Sequence, residues 1–534
     1  MDPLHYIHSR AGRIGGRSHT QPSDVDAIIQ SLGQDPRRHL IIHFHGGLVP
    51  AEAGFTIAEK LKGVYSPSPD AGGYPVFFVW ESGAWETIRN NLTELADEPV
   101  FKELLRKILQ YGFERLGGSS LTGFGRSTDG AAYGSAAVAA REELDRFWQD
   151  PRKETIPFRG MDVDSHPAVI EEARSGVARV DEAEILVDIQ QDRRLQNALA
   201  TLPDLPPGSR SSFSTEDVQE HRSSFAELAS STFSKDSATR GLVELYKVAS
   251  YLARVLRGML RRYSKKRDHG FYATCVEELI RGFKLAGSGL NEWGKALEWN
   301  RMKQDTSDAF GPNPNVHAGT ALLTRLQAAV NGGLELRRIT LVGHSTGAIY
   351  IANWIENSAK YLPAALKQDV VFLAPAITYN LFAKMLSEKS SRVGRFRMFA
   401  MRDGLEREDQ VWGQDEELQG GQDWRRFIYP SSLLYLVSGI LESSAANDGS
   451  WVDEPDMPLV GMERFLHQVQ IYPDAEFPSI KQTRTWLAVD PNAVVWSKST
   501  GQAAGLNGDS IDHGAFDDNP LTLESLRHIM EVGF

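Results

Sequence analysis

Along the chain, apolar positions follow two rhythms. Short runs of apolar and β-branched residues stand at 38–44 (RHLIIHF), 75–79 (PVFFV), 339–342 (ITLV), 369–373 (DVVFL) and 395–401 (RFRMFAM). Each has the length of a strand buried on both faces, and each ends in a Gly, Pro or polar turn. Helical spacing follows several of them, at 51–64, at 379–389, and behind residue 347, where Ile349, Ala352, Trp354, Ile355 and Ala359 share a face. Strand, turn and helix in repetition predict an α/β fold, a mostly parallel doubly wound sheet. Further strands are expected at 483–489 (TRTWLAV) and 493–496. Further helices are expected at 315–330, at 429–441, from Pro520 to Met530, and through Leu32 with Ser23 as its cap.

The second rhythm occupies the stretch from 84 to about 318. Strand signals are few there, and helical spacing appears at 85–96, 100–116, 131–148, 180–202, 239–263 and 271–285. Loops at 117–130 and 203–216 separate them, the latter rich in Pro, Ser and Gly. So long a block exceeds a normal crossover. The chain therefore reads as 1–83 and 315–534 forming a sheet-bearing core, with 84–314 an inserted helical cap. Within the cap, Leu242, Leu245, Ala249, Leu252, Leu256, Met259 and Tyr263 make one apolar stripe. Arg240, Lys247, Arg254 and Arg261 recur every seven residues on another face. Helix 239–267 has two readings: peripheral contact with an anionic membrane, or a stripe packed inside with its arginines in water.

Composition narrows the classes. A net charge of −12 over 534 residues argues against nucleic-acid binding by the whole surface. The one cysteine, Cys275, rules out an intrachain disulfide and fits a reducing compartment. The first residues lack the apolar core of a signal peptide, and the longest apolar stretches are too short and interrupted to span a bilayer, so a cytoplasmic location is expected. No dinucleotide fingerprint, P-loop or cysteine-based zinc motif is present, and no cofactor is expected.

The chemistry concentrates at Gly343-His344-Ser345-Thr346-Gly347, which fits G-x-S-x-G between a strand and a helix. That context exposes a serine hydroxyl on a tight turn, with glycines where a Cβ would clash. A serine hydroxyl needs a base, and the base needs an orienting group. His513, in a loop before the last helix, is the expected base. His467 and His528 lie in helix-like runs. Asp403, at the end of the 395–401 strand, is the expected orienting acid, with Glu406, Glu408 and Asp409 as competitors on the same loop. The order serine, acid, histidine suits the elbow motif. The N–H of Thr346 and that of Gly47 or Leu48 are the expected oxyanion donors. His45, Gly46, Trp80, Glu81 and His344 are candidates for lining the substrate site. For Trp80 and Glu81, a core tryptophan and a capping glutamate are the alternative. His43-Phe44-His45 also has the H-x-H form of a metal pair, but no third ligand at suitable spacing accompanies it.

With His45-Gly46-Gly47, Gly343 to Gly347, Asp403 and His513-Gly514 in these contexts, the chain resembles the α/β-hydrolase superfamily in its lipase and esterase branch. The likeness covers 38–83 and 315–530 and leaves out the helical block. It implies ester, thioester or amide hydrolysis through an acyl-serine, and the leading expectation is a carboxylic ester, lipid-like or otherwise acyl. Acyl transfer by the same triad, or a catalytically silent binding module, are the alternatives.

Overall fold

The computed structural model describes residues 1–15, 19–47, 50–81, 98–116, 146, 167–201, 242–285, 299–411, 429–442 and 456–534. The expected helices 85–96 and 131–148 (Arg146 apart), the loops 117–130 and 203–216, and Leu48 lie outside these residues. The chain forms two compact units. One comprises Met1–Thr87, Leu297–Asp409 and Pro458–Phe534, the other Ile88–Ala296 and Gln410–Met457. The second thus also takes in a stretch that the pattern of the sequence places with the sheet. Among the described residues, no helix is long and apolar enough to cross a membrane.

The first unit is built on seven parallel strands: β1 (Tyr6–Arg10), β2 (His39–Phe44), β3 (Tyr74–Glu81), β4 (Arg338–His344), β5 (Gln368–Leu373), β6 (Val393–Met401) and β7 (Val494–Ser497). Their order across the sheet is β1-β3-β2-β4-β5-β6-β7. Both faces are covered, which explains the unbroken apolar runs. On one face Ile41, Phe77, Val342, Val371 and Phe399 pack with Ala58, Leu61, Leu526 and Ile529 of helices Ala51–Tyr65 and Pro520–Glu531. On the other, Phe44 stacks on Tyr350 (4.6 Å between centroids), Phe372 meets Phe382 at 5.7 Å, and Phe396 meets Trp486 at 5.1 Å. From β2 the chain moves outward to β3, and it returns to the other side of β2 with β4. With right-handed connections, this reversal opens a crevice beyond the carboxyl ends of β2 and β4.

Two expectations need correction, and one strand stands outside them all. Residues 483–489 are not a strand but part of helix Pro478–Leu487, whose Pro opens the first turn and whose buried Ile480, Thr483 and Leu487 keep helical spacing. The first helix starts at Pro22 rather than after Ser23, and Gln21 and Asp24 form its capping box. β1 has no counterpart in the apolar pattern: Tyr6–Arg10 mixes apolar and polar residues over five positions and pairs on one side only.

In the helical unit, helix Leu242–Ser264 packs against Pro99–Arg115, Pro167–Ala178, Glu182–Gln191 and Phe271–Leu285. Ala249, Leu252, Leu256, Met259 and Tyr263 are all buried, so this part of the stripe is core. Two arginines of the helix are paired within the unit. Arg257 meets Glu182 and the Val180 carbonyl, and Arg262 is buried with Glu277, Glu278 (2.6 Å) and Asp456 (2.8 Å). Burial alone would raise the Glu277 carboxyl, but Arg262 and His269 bring it down to about 2.

Candidate active site

The serine turn is set by close backbone packing. A Cβ on Gly347 would be driven into the Phe44 carbonyl, and one on Gly343 would lie 2.7 Å from the Gly347 backbone. Between them Ser345 adopts φ +53°, a left-handed conformation that costs a non-glycine residue about 1–2 kcal/mol. Two bonds to the neighbouring strand end hold it: Ser345 N–H donates to Leu373 O (2.9 Å), and Ala376 N–H donates to Ser345 O (3.0 Å). Helix Gly347–Ser358 starts directly behind, its first turn closed by Ala348 N–H to Ser345 O (3.2 Å) and Ile349 N–H to Thr346 O (2.9 Å).

Ser345 Oγ lies 3.0 Å from Nε2 of His513. Both residues are buried. Burial above all, with the neighbouring His344 charge, brings His513 down to about 3, so its imidazole is neutral near pH 7. A neutral ring that accepts the serine proton on Nε2 carries its own proton on Nδ1. That Nδ1 is buried and has no hydrogen-bond partner among the described residues.

Among the acids expected on the loop after β6, Asp409 is bonded to His513. Asp403 opens helix Asp403–Glu408 and gives its N–H to Glu463 (2.8 Å). Asp409, the residue that ends this helix, accepts the His513 backbone N–H on Oδ2 at 3.0 Å and is itself buried.

A second histidine and a second carboxylate lie behind the base. His344 donates Nε2–H to the His513 carbonyl (3.0 Å), and its Nδ1 is 3.3 Å from Asp517 Oδ2. Burial opposes charge on both. The Asp517 carboxylate nevertheless raises His344, and the His344 imidazolium holds Asp517 below the usual carboxylate range. His344 thus sits against His513 and not on the serine.

Of the expected oxyanion donors, Thr346 follows the serine and caps the helix. Gly47 N–H is bonded to the Thr346 hydroxyl. Only glycine fits there, since a Cβ would collide with Met302 Sδ, Thr346 Oγ1 and the Trp80 ring. Among the lining candidates, His45, Gly46 and Trp80 are bonded to one another. His45 gives Nδ1–H to the Gly46 carbonyl (2.7 Å) and accepts the Trp80 N–H on Nε2 (3.1 Å), while the Trp80 indole N–H reaches back to His45 O (3.3 Å). These bonds fix the turn after β2. His43 bonds Tyr65 OH at 2.9 Å, so the H-x-H pair serves the core. Glu81 faces His8 and His19.

Acid should destabilise this unit. Burial is the first cause that brings His39, His43 and His513 down to about 3 and His45 down to about 4. Unfolded imidazoles titrate near 6.5, so between about pH 6.5 and 4 the unfolded chain binds protons that the folded one refuses, and stability falls with pH. Each group contributes up to about 1.4 kcal/mol per pH unit, and the four together approach about 5 kcal/mol per unit near pH 5. His344, which the Asp517 carboxylate raises, works in the opposite sense at the upper end of that window, where the folded chain holds the proton more tightly. Urea unfolding at pH 7, 6 and 5 should show this loss, with about four protons taken up per molecule unfolded at pH 5. Equal stability at pH 7 and 5 would contradict the neutral burial of these rings.

No protein-family model, curated protein or solved structure matches the chain.

Proposed function

We propose that the chain is a serine hydrolase of the α/β-hydrolase kind, which cleaves a carboxylic ester through an acyl-serine intermediate, with the helical unit as its cap. The reading rests above all on one observation: Ser345, strained at φ +53° on a strand-to-helix turn, stands 3.0 Å from the Nε2 of a neutral, buried His513. In this mechanism His513 takes the proton of Ser345 as Oγ attacks the acyl carbon, and gives it to the leaving alkoxide. The N–H of Thr346, at the positive end of its helix, faces the developing oxyanion. Gly47 N–H becomes the second donor once the Thr346 hydroxyl releases it. Asp409 takes the orienting role for which position in the sequence favours Asp403. Water then releases the acyl group by the same steps, and no cofactor takes part.

The substrate class is an acyl ester, lipid-like esters included. A cytoplasmic location, and anionic-membrane contact through the basic face of helix 239–267, belong to the proposal too. The burial of Ser345 favours a second reading, acyl transfer to a bound alcohol in a site that excludes water. A panel of p-nitrophenyl esters of graded acyl length tests both. Hydrolysis with a maximum at one chain length is expected. Product that shifts from free acid to a new ester when glycerol or a long-chain alcohol is added would favour transfer. No turnover of any ester, with detergent present and the fold intact, would favour a silent binding module.

A further inference from the structure

At the outer side of the sheet, three side chains distant in sequence converge. His8 lies in β1, Glu81 ends β3, and His19 lies in the segment that follows β1. Parallel register pairs Arg10 with Glu81 and so brings the two strand ends level. The chain then turns through Ala11 and Gly12, both at positive φ, and comes back along β1. His8 N–H donates to Thr20 Oγ1 (2.8 Å), and Thr20 N–H donates to His8 O (3.1 Å). These two bonds fix His19, next to Thr20, beside His8, with their rings 4.7 Å apart.

One ligand atom from each of His8, His19 and Glu81 lies within 4.8 Å of the other two. Glu81 Oε1 is 3.1 Å from His8 Nε2 and 3.5 Å from His19 Nε2. A tetrahedral site with metal–nitrogen bonds of ~2.0–2.1 Å has ligand-to-ligand edges of about 3.3 Å, and the two observed edges bracket that value. A hydrogen bond accounts for the His8 contact alone. His19 Nε2 is buried, points at the same oxygen and has no hydrogen-bond partner among the described residues. A lone imidazole nitrogen aimed at a carboxylate already used by another imidazole is unexplained as a polar contact, and a shared cation would satisfy it. Glu81 Oε2 lies 3.6 Å from Arg10 Nε, which leaves Oε1 to bind in monodentate fashion. Glu81 keeps a third of its side chain exposed, so an open coordination position faces water.

We propose that His8, His19 and Glu81 form a site for a divalent transition metal ion of the Zn(II) type, which ties the segment after β1 to the carboxyl ends of β1 and β3. Two imidazoles and one carboxylate suit Zn(II), Co(II) or Ni(II), and not Mg(II), which takes oxygen ligands. The site is independent of the hydrolase reading, because it shares no residue with Ser345, His513 or Asp409.

The test uses the full chain, free of affinity tag and stripped with chelator. Zn(II) is titrated by calorimetry, and Co(II) by its visible ligand-field absorption, whose intensity reports tetrahedral geometry. One equivalent should bind with micromolar affinity or better, and Mg(II) should not compete. His19→Ala and Glu81→Gln should each weaken binding by at least about 100-fold. Both alter partly exposed side chains and should leave the fold intact, which circular dichroism of the metal-free variants checks. His8→Ala, at a buried position, is secondary. Wild-type protein that binds no Zn(II), or a one-equivalent site that survives both His19→Ala and Glu81→Gln, would overturn the proposal.

Discussion

Replacing Ser345 by alanine is expected to lower ester turnover by about 10⁴- to 10⁶-fold, the size of loss that follows removal of a serine nucleophile. Alanine keeps the Cβ, so the turn and its two bonds to Leu373 and Ala376 should persist. The folded state should therefore match the wild type, and the loss should fall on kcat. Glycine at the same position gives a second readout. It removes the penalty of φ +53° and should raise stability by about 1 kcal/mol while it also abolishes turnover. A variant that gains stability and loses activity would identify strain held for function. Ser345→Ala with near wild-type turnover would place the nucleophile elsewhere.

The second large effect separates two carboxylates. Asp409→Asn should lower kcat by about 10²- to 10⁴-fold with KM little changed, whereas Asp403→Asn should stay within about threefold of wild type. The amide oxygen that Asp409→Asn introduces can still accept the His513 N–H that Asp409 accepts at 3.0 Å, so this variant removes charge more than position. Asp409→Ala removes both and should cost more. If instead Asp403→Asn gives the large loss, the acid lies at the strand end after all, and the contact of Asp409 with His513 is structural.

The difference between these two aspartates marks the limit of what local pattern can say. The strands at the centre of the sheet are readable because they are buried on both faces, and burial leaves an unbroken apolar run. Ser345 is readable because the turn permits only glycine on each side, and sterics write themselves into the sequence. The acid is narrowed only to a loop. Asp403 has the right position relative to β6, but the chain continues through one short helix before Asp409 comes back to His513, and no spacing rule encodes that return. The bond from Gly47 N–H to the Thr346 hydroxyl is hidden for the same reason: its partners are 299 residues apart. His8, His19 and Glu81 meet only through the register of β1 on β3 and the two bonds of Thr20 to His8. Where helical and strand patterns overlap, as in TRTWLAV, the proline that opens the helix upstream is the better guide.

The central claim is that Ser345 is an activated nucleophile. It is tested most directly by exposing the purified protein to a fluorophosphonate probe and mapping the modified peptide by mass spectrometry. One label per chain is expected on Ser345, absent in Ser345→Ala and much slower to form in His513→Ala. A folded protein that takes up no label with detergent or liposomes present, or that carries the label on another residue, would contradict the account.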